Sequence, residues 1–321
     1  MQKSSRIYIA GHRGLVGSAI HRALQQQGYS NLLVRTHSEL DLTDRNAVNE
    51  FCSIHKPEFV ILAAAKVGGI LANDKYPADF IRENLLIQTS VIDASLQAGV
   101  QRLLFLGSSC IYPKLCPQPI KEEYLLTGPL EPTNRAYALA KIAGIEMCWS
   151  YNRQHGTRYL AAMPTNLYGP GDNFDLEKSH VLPALIRKAS EAKISGRSEL
   201  VVWGTGTPRR ELLFSDDLAE ACLYLLQMDD EHYSKLLDGN APPLINIGTG
   251  VDHSIRELAE LVCSVVGFTG KLVFDTTRPD GTPQKLLDIS RIRSLGWQPR
   301  TMLEDGIRQT YLASRGQWER Q

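Results

Sequence analysis

The sequence predicts an α/β protein: a doubly wound parallel sheet of the Rossmann type, followed by a smaller C-terminal α/β domain. Three observations carry this. Short β-branched runs alternate with longer amphipathic segments through the first half, a glycine-rich turn joins the first run to the first helix, and the rhythm breaks up after Pro170. In order, the runs are RIYIA, LLVR, FVILA and RLLFL, with helices predicted from about Leu15 to Gln27, after Thr43 and after Tyr76. Near-continuous apolar strands such as Phe59 to Ala63 fit a sheet covered by helices on both faces. A further helix is predicted from Asn134 to about His155, because Pro132 precedes it and YALAKIAGIEMCWSY carries apolar residues at intervals of three and four. Strand RYLAAM follows it. Beyond Pro170, prolines, glycines and short strands such as ELVVW mark the second domain, where Ser254-Ile-Arg-Glu257 has the spacing of a capping box ahead of an apolar helix. The expected boundaries are 1–170 and 171–321, with a segment of about 214–247 returning to the first domain.

At 321 residues the chain exceeds one typical domain. Thirty-five basic and thirty-five acidic residues cancel, and no long run of either sign occurs, so nucleic acid is not an expected partner. The six cysteines show no C-x-x-C spacing, which argues against a metal site and for reduced thiols in the cytoplasm. MQKSSR runs directly into the first strand without a hydrophobic leader. The longest apolar stretch, FVILAAAKVGGILA, is interrupted by Lys66 and two glycines and is too short for a bilayer. A soluble protein is expected.

Gly11-His-Arg-Gly14-Leu-Val-Gly17 lies between the first strand and the first helix. Glycines there let backbone N–H groups approach a pyrophosphate, and the helix N-terminus adds partial positive charge. The position at the end of the second strand, where an NAD-binding fold usually offers a carboxylate to the ribose, holds Arg35. A guanidinium there would pair with a 2′-phosphate, and Arg13 could add a second contact, so NADP(H) is the expected cofactor. The alternative is that both arginines are solvated surface cations. His37 stands two residues past Arg35 and weakens that preference.

Tyr137 and Lys141 are four residues apart on the predicted helix and share a face. A neighbouring ammonium would lower the phenol pKa from about 10 and make the pair an acid catalyst. Lys141 could also bond the cofactor ribose, and Ser108, at the end of the RLLFL strand, could hold a substrate carbonyl oxygen.

GHRGLVG, GSSCIYP, YALAK and PTNLYGP, in that order and spacing, resemble the extended short-chain dehydrogenase/reductases over the whole chain. AAAKVGGI, EPTNRAYALAKIAG, MPTNLYGPGDNF and DGTPQKLLD are similar to one branch of that family, enzymes that epimerise and reduce GDP-4-keto-6-deoxy-D-mannose to GDP-L-fucose. The resemblance implies that Leu15, Val16, Asp41 and Leu42 line the cofactor, together with Pro164, Asn166, Leu167, Lys141 and His180. It also implies a homodimer packed through the helices after Tyr76 and Asn134.

In the related sugar-nucleotide dehydratases, the loop matching Ser108 to Tyr112 carries Thr-Asp-Glu, and the Glu removes a proton from a sugar carbon. Aligned on Tyr112, Cys110 takes that place. A 4-keto group acidifies the protons on C3 and C5, and inverting either centre needs one group on each face. The resemblance supplies His180 as the second. Cys110 and His180 are therefore expected to transfer the protons, with Tyr137 protonating O4 as NADPH reduces C4. Which of the two is acid and which base stays open, and Cys116 is read as a bystander.

For the GDP end, the resemblance places Lys188, Trp203, Arg210 and Asp280 in the substrate pocket, and Lys285 is grouped with them. Lys188 and Arg210 would neutralise the diphosphate, Trp203 would pack on sugar or base, and Asp280 would accept from hydroxyl or guanine N–H groups. Arg209 competes with Arg210 for that role. Two other readings remain: a GDP-L-colitose-type enzyme that epimerises C5 alone, and a noncatalytic NADP(H)-binding regulator, which the intact Ser108, Tyr137 and Lys141 argue against. A 4,6-dehydratase is disfavoured because Ser109-Cys110 replaces its acidic pair.

Overall fold

The computed structural model describes residues 1–176, 179–278 and 280–318; Lys178 and Pro279, neighbours of His180 and Asp280, lie outside the described residues. The first strands are β1 (Ile7–Ala10), β2 (Leu32–Leu33), β3 (Phe59–Leu62), β4 (Arg102–Leu106) and β5 (Tyr159–Pro164). With β9 (Leu244–Ile247) they form one parallel sheet in the order β2-β1-β3-β4-β5-β9, the Rossmann arrangement. Apart from the edge strand β2, every residue of these strands is buried. Two layers of helix explain why the apolar runs are continuous rather than alternating. Helices α2 (Arg45–His55), α4 (Pro77–Gln97) and α5 (Arg135–His155) pack side by side, and α1 (Leu15–Gln26) packs on α7 (Ser215–Gln227). Right-handed crossovers place those two groups on opposite faces.

Strand β2 is half the length predicted: Val34 and Arg35 leave the sheet, and the Arg35 guanidinium lies over the Phe51 ring, 5.2 Å from its centroid. The short helix α3 (Ile70–Lys75) was not expected, because six residues after two glycines carry too little periodicity to read.

Before Pro170 the chain leaves the large sheet. Strand β6 (Asn166–Tyr168) pairs in parallel with β8 (Arg209–Phe214), which also holds β10 (Asp252–Ser254) antiparallel and β12 (Gln284–Lys285) parallel. A separate pair joins β7 (Glu199–Trp203) to β11 (Lys271–Asp275). Around these strands, α6 (Val181–Ile194), α9 (Ile255–Val266) and α11 (Leu303–Ser314) close a second apolar cluster containing Leu185, Leu212, Val262 and Ile307. The capping box forms as expected: the Ser254 hydroxyl accepts from Glu257 N at 3.1 Å, and the Glu257 carboxylate accepts from Ser254 N at 2.7 Å. The short α8 (Asp230–Leu237) and α10 (Ser290–Ser294) pack against the first cluster through Tyr233, Leu236 and Ile292. Because the large sheet is parallel, the loops after β1, β3, β4 and β5 emerge at one edge, where ligands of such sheets bind.

Candidate functional site

The glycine turn is built for close approach. Gly11 has φ +91°, and a Cβ on Gly17 would stand 2.1 Å from Gly11 O, so neither position tolerates a side chain. Gly14 N donates to Gly11 O at 3.0 Å, and Gly14 precedes α1 without a capping side chain. The first amides of α1, from Leu15 and Val16 onward, therefore lack intrahelical acceptors and are available to an anion. His12 Nδ1 is buried without a protein partner beside them. This cradle fits a dinucleotide pyrophosphate.

Arg35 donates to Val34 O at 2.8 Å and lies 3.3 Å from His55 Nε2, so its fork is fixed against α2. Thr36 N–H and hydroxyl bonds hold the Glu39 carboxyl below its usual range, and the charges of Arg35 and Arg13 add to the effect. Arg35 thus sits at the end of β2, with Arg13 in electrostatic range of the same Glu39 carboxylate. His37 is exposed, 3.8 Å from Asp41. Asp41 is turned to Thr43 N and Oγ1 at 2.9 and 2.8 Å, and Leu42 packs on the core.

The thiol loop caps β4. Ser108 Oγ accepts from Cys110 N at 3.4 Å, and its hydroxyl is close enough to both the Cys110 thiol and the Tyr137 phenol to pull their pKa values down. Lys141, 3 % exposed, donates to Leu106 O at 2.8 Å and lies 5.8 Å from the Tyr137 ring centroid. Burial lowers the Lys141 ammonium pKa to about 8. The structure differs from expectation at Tyr137, whose pKa is raised: burial outweighs everything else, the Cys110 charge adds to it, and the Ser108 hydrogen bond offsets only part. Burial likewise raises the Cys110 thiol, against the opposing pull of Lys285, Ser108 and Lys141. His180, directly before α6, is exposed at its surface, yet the protein packed around the ring disfavours the imidazolium and Lys285 repels it further.

Farther along β8, the two arginines differ in their protein partners. Arg209 is engaged with Asp252 at 2.9 Å and Glu257 at 3.6 Å, whereas Arg210 donates only to the backbone oxygens of Arg209 and Thr282, at 2.7 and 2.6 Å. Asp280 is also occupied: its oxygens accept from Thr205 N at 2.9 Å and Thr205 Oγ1 at 2.8 Å, tying two loops together. Trp203 lies between two cations, Lys188 Nζ and the Arg278 guanidinium, each 5.0 Å from its ring. Arg278 was not singled out from the sequence. Pro164 ends β5, Leu167 packs on the core, and Asn166 donates to Glu211 O at 3.1 Å.

The structure thus gathers Ser108, Cys110, Tyr137 and Lys141, and brings Lys285 within electrostatic range of both Cys110 and His180; Trp203 and Lys188 form a separate pair. Sequence reasoning missed what fixes the loops. Tyr112 Oη donates to Asn246 Oδ1 at 2.6 Å, and Gln88 Nε2 donates to Ala140 O at 2.7 Å, aligning α5 on α4. Such partners are 134 and 52 residues apart and leave no local signal. A cavity of about 420 Å³ lies elsewhere, beside Arg102 and Arg158. Both arginines already donate to Asp230, at 2.6 and 2.5 Å, and none of the site residues lines it.

A dinucleotide cradle above a serine, tyrosine and lysine at one sheet edge is the plan of a nucleotide-dependent oxidoreductase. The chain belongs to the NAD dependent epimerase/dehydratase family, whose profile matches residues 7–248. It is similar to GDP-L-fucose synthase 1 of Arabidopsis thaliana, 60 % identical over 309 residues that cover 96 % of this chain and 93 % of that protein. GDP-L-colitose synthase of Yersinia pseudotuberculosis is 37 % identical over 306 residues, covering 95 % and 96 %. Among solved structures, a GDP-D-glycero-L-gluco-heptose synthase from Campylobacter jejuni in the presence of NADPH superposes with a TM-score of 0.91 at 41 % identity, covering 98 % of this chain and 99 % of that one.

Proposed function

We infer that the protein is an NADPH-dependent epimerase and reductase that converts GDP-4-keto-6-deoxy-D-mannose to GDP-L-fucose. The observation that carries this reading is the thiol of Cys110 held within one hydroxyl's reach of Tyr137, in a chain 60 % identical to a GDP-L-fucose synthase. A plain ketoreductase has no use for the thiol. NADPH, when bound, supplies the hydride for C4; Gly11, Gly14 and Gly17 would hold its pyrophosphate and Arg13 and Arg35 its 2′-phosphate.

In the epimerisations, Cys110 and His180 act on opposite faces of the sugar. One takes the proton from C3 or C5, the electron pair delocalises onto O4, and the other returns a proton to the same carbon from the far face. Ser108 and Tyr137 donate to O4 while it carries the enolate charge. Each inversion moves one proton from one member of the pair to the other, and solvent resets them before the next. For reduction, the raised pKa of Tyr137 is an advantage: the phenol stays protonated until O4 becomes an alkoxide, which is basic enough to take its proton.

The cofactor half of the molecule is read as 1–170 with about 214–247, and the substrate half as 171–321, where Arg210 and Lys188 would meet the diphosphate and Trp203 the base or sugar. Two separate apolar clusters support a two-part division, although Leu287, Ile289, Ile292 and Trp297 join the first cluster and Tyr168 and Phe214 the second, on the other side of these bounds. Leu86 on α4 and Leu139 on α5 are exposed, which supports a homodimer packed through those helices. Six free cysteines favour the cytoplasm. Among the described residues no helix is long and apolar enough to cross a membrane.

The test is to incubate the protein with NADPH and GDP-4-keto-6-deoxy-D-mannose in D₂O and follow the sugar by NMR. Deuterium at C3 and C5 with GDP-L-fucose as product is expected. Deuterium at C5 alone would point to a colitose-type enzyme, and reduction without exchange would remove the role of the thiol. A second expectation concerns the cradle. Gly17→Ala forces its Cβ onto Gly11 O, so NADPH affinity should fall at least about tenfold, roughly 1.4 kcal/mol, in a fluorescence titration. Unchanged affinity would place the cofactor elsewhere.

A further inference from the structure

Lys285 stands among the expected substrate-binding residues, but its strand is held on both sides and its charge reaches the thiol loop. In β12 it pairs with Arg210. Glu211, next on β8 and fully buried, accepts from Leu287 N at 2.8 Å, and from Thr249 N and Gly250 N at 2.7 Å each. On the other side, Leu286 N donates to Gln118 Oε1 at 2.9 Å, Ile120 N donates to Leu286 O at 2.7 Å, and Asp288 N donates to Ile120 O at 2.8 Å. Residues 118–120 continue directly from the loop that carries Cys110 and Cys116. The strand holding Lys285 is therefore clamped between β8 and that loop.

We infer that Lys285 is a positioning residue for the proton-transfer pair, its ammonium setting the charge state of Cys110 and His180 together. The inference rests on the roles given to those two residues above. No ion pair forms at Lys285 among the described residues. Glu131, a carboxylate whose field reaches it, is bound to Lys114 at 2.8 Å, and Arg210 contributes a like charge. Burial lowers the Lys285 pKa, and a negative charge on the thiols of Cys110 or Cys116 would favour its ammonium, so the cation and a thiolate stabilise each other. Facing Cys110 are Lys285, Lys141, Ser108 and Tyr137. Lys285 faces His180 as well.

The sign is the same at both members. An ammonium attracts a thiolate and repels an imidazolium, so Lys285 makes each a stronger acid: the member that donates releases its proton more readily, and the member that accepts is held more fully in its deprotonated form. At Cys110 this opposes burial, which alone would lock the thiol in its neutral form.

The direction at Cys110 separates this role from mere packing. If Lys285 only filled space, its loss would admit water and ease thiol ionisation; if its charge acts, its loss would hinder ionisation. The experiment follows iodoacetamide alkylation of the Cys110 peptide by mass spectrometry against pH, without substrate, in a Cys116→Ser background; Cys110 is buried like the four remaining cysteines, so its own peptide is read rather than total thiol. In Lys285→Met the alkylation midpoint is expected to rise by about one pH unit, making modification about tenfold slower below the midpoint. Lys285→Arg should restore most of the wild-type profile. Lys285→Gln, which keeps the polar stem, provides the same comparison should the Met variant fold poorly. An unchanged or lowered midpoint overturns the inference. The assay needs no sugar, so its outcome is independent of whether the D₂O experiment upholds the proposed reaction.

Discussion

Replacing Tyr137 by Phe is expected to slow ketone reduction by about 10²–10⁴-fold, roughly 3–5 kcal/mol of barrier, while deuterium still enters C3 and C5. The variant keeps the ring that packs edge-on against Phe80, with centroids 6.3 Å apart, and that lies under Lys141, so the site should keep its shape. What it loses is the proton. With Phe, the alkoxide forming at O4 has only the Ser108 hydroxyl beside it, which can donate a hydrogen bond but is a far weaker acid. The enolate of the earlier steps needs stabilisation rather than full protonation, and Ser108 continues to provide part of it. Epimerised ketone should therefore accumulate, seen by NMR, as NADPH consumption nearly stops. Full-rate reduction would mean that another group protonates O4. The wild-type pH profile carries a related signature. Because burial and the Cys110 charge hold Tyr137 above its usual range, its ionisation cannot produce a fall in rate near neutrality. A fall as pH rises through about 8 would instead report loss of the Lys141 charge.

How much of this was legible beforehand depends on how far apart the partners lie. The glycine turn and the Tyr137–Lys141 pair are local patterns, so their spacing alone predicted their geometry. Five of the six strands of the large sheet announced themselves by apolar runs, whereas β9 was covered only by the expected return of about 214–247, and α3 was too short to show a period. Nothing local tells Lys285 that its strand will lie between β8 and residues 118–120, because that placement is set by Glu211 and by backbone pairing across 168 residues. Ionisation was the other limit. An ammonium four residues from a phenol suggests a lowered pKa, but Lys141 spends its hydrogen bond on Leu106 O, and the desolvation of Tyr137 is a property of the assembled core. Asp280 and Arg209 show the same limit from the other side. The resemblance implied a ligand contact for Asp280 and left Arg209 beside Arg210, and only the fold reveals their protein partners, Thr205 and Asp252.

Cys110→Ala is expected to have the complementary effect: deuterium incorporation should fall by about 10²–10⁴-fold at whichever carbons the thiol serves, with the hydride step left largely intact. Ser108 would keep its backbone bond from residue 110, since that N–H belongs to any residue placed there, and the burial that chiefly holds the Tyr137 pKa up would remain. Reduction of the unepimerised ketone should then proceed and yield a 6-deoxy sugar with the configuration of the substrate at C3 and C5, a product that NMR distinguishes from GDP-L-fucose. Cys110→Ser separates chemistry from packing. The thiol is 7 % exposed, so Ala leaves a small void, whereas Ser nearly fills it but offers a hydroxyl too weakly acidic to exchange protons near neutral pH. Equal loss in both variants would assign the effect to proton transfer; recovery in Ser would assign it to shape. If exchange vanishes at one carbon and survives at the other, the two epimerisations use different groups, and His180 must serve the second with a partner other than the thiol. If both carbons exchange at the wild-type rate in Cys110→Ala, the thiol is only a buried small side chain, and the sharing of Ser108 between it and Tyr137 has no part in the chemistry.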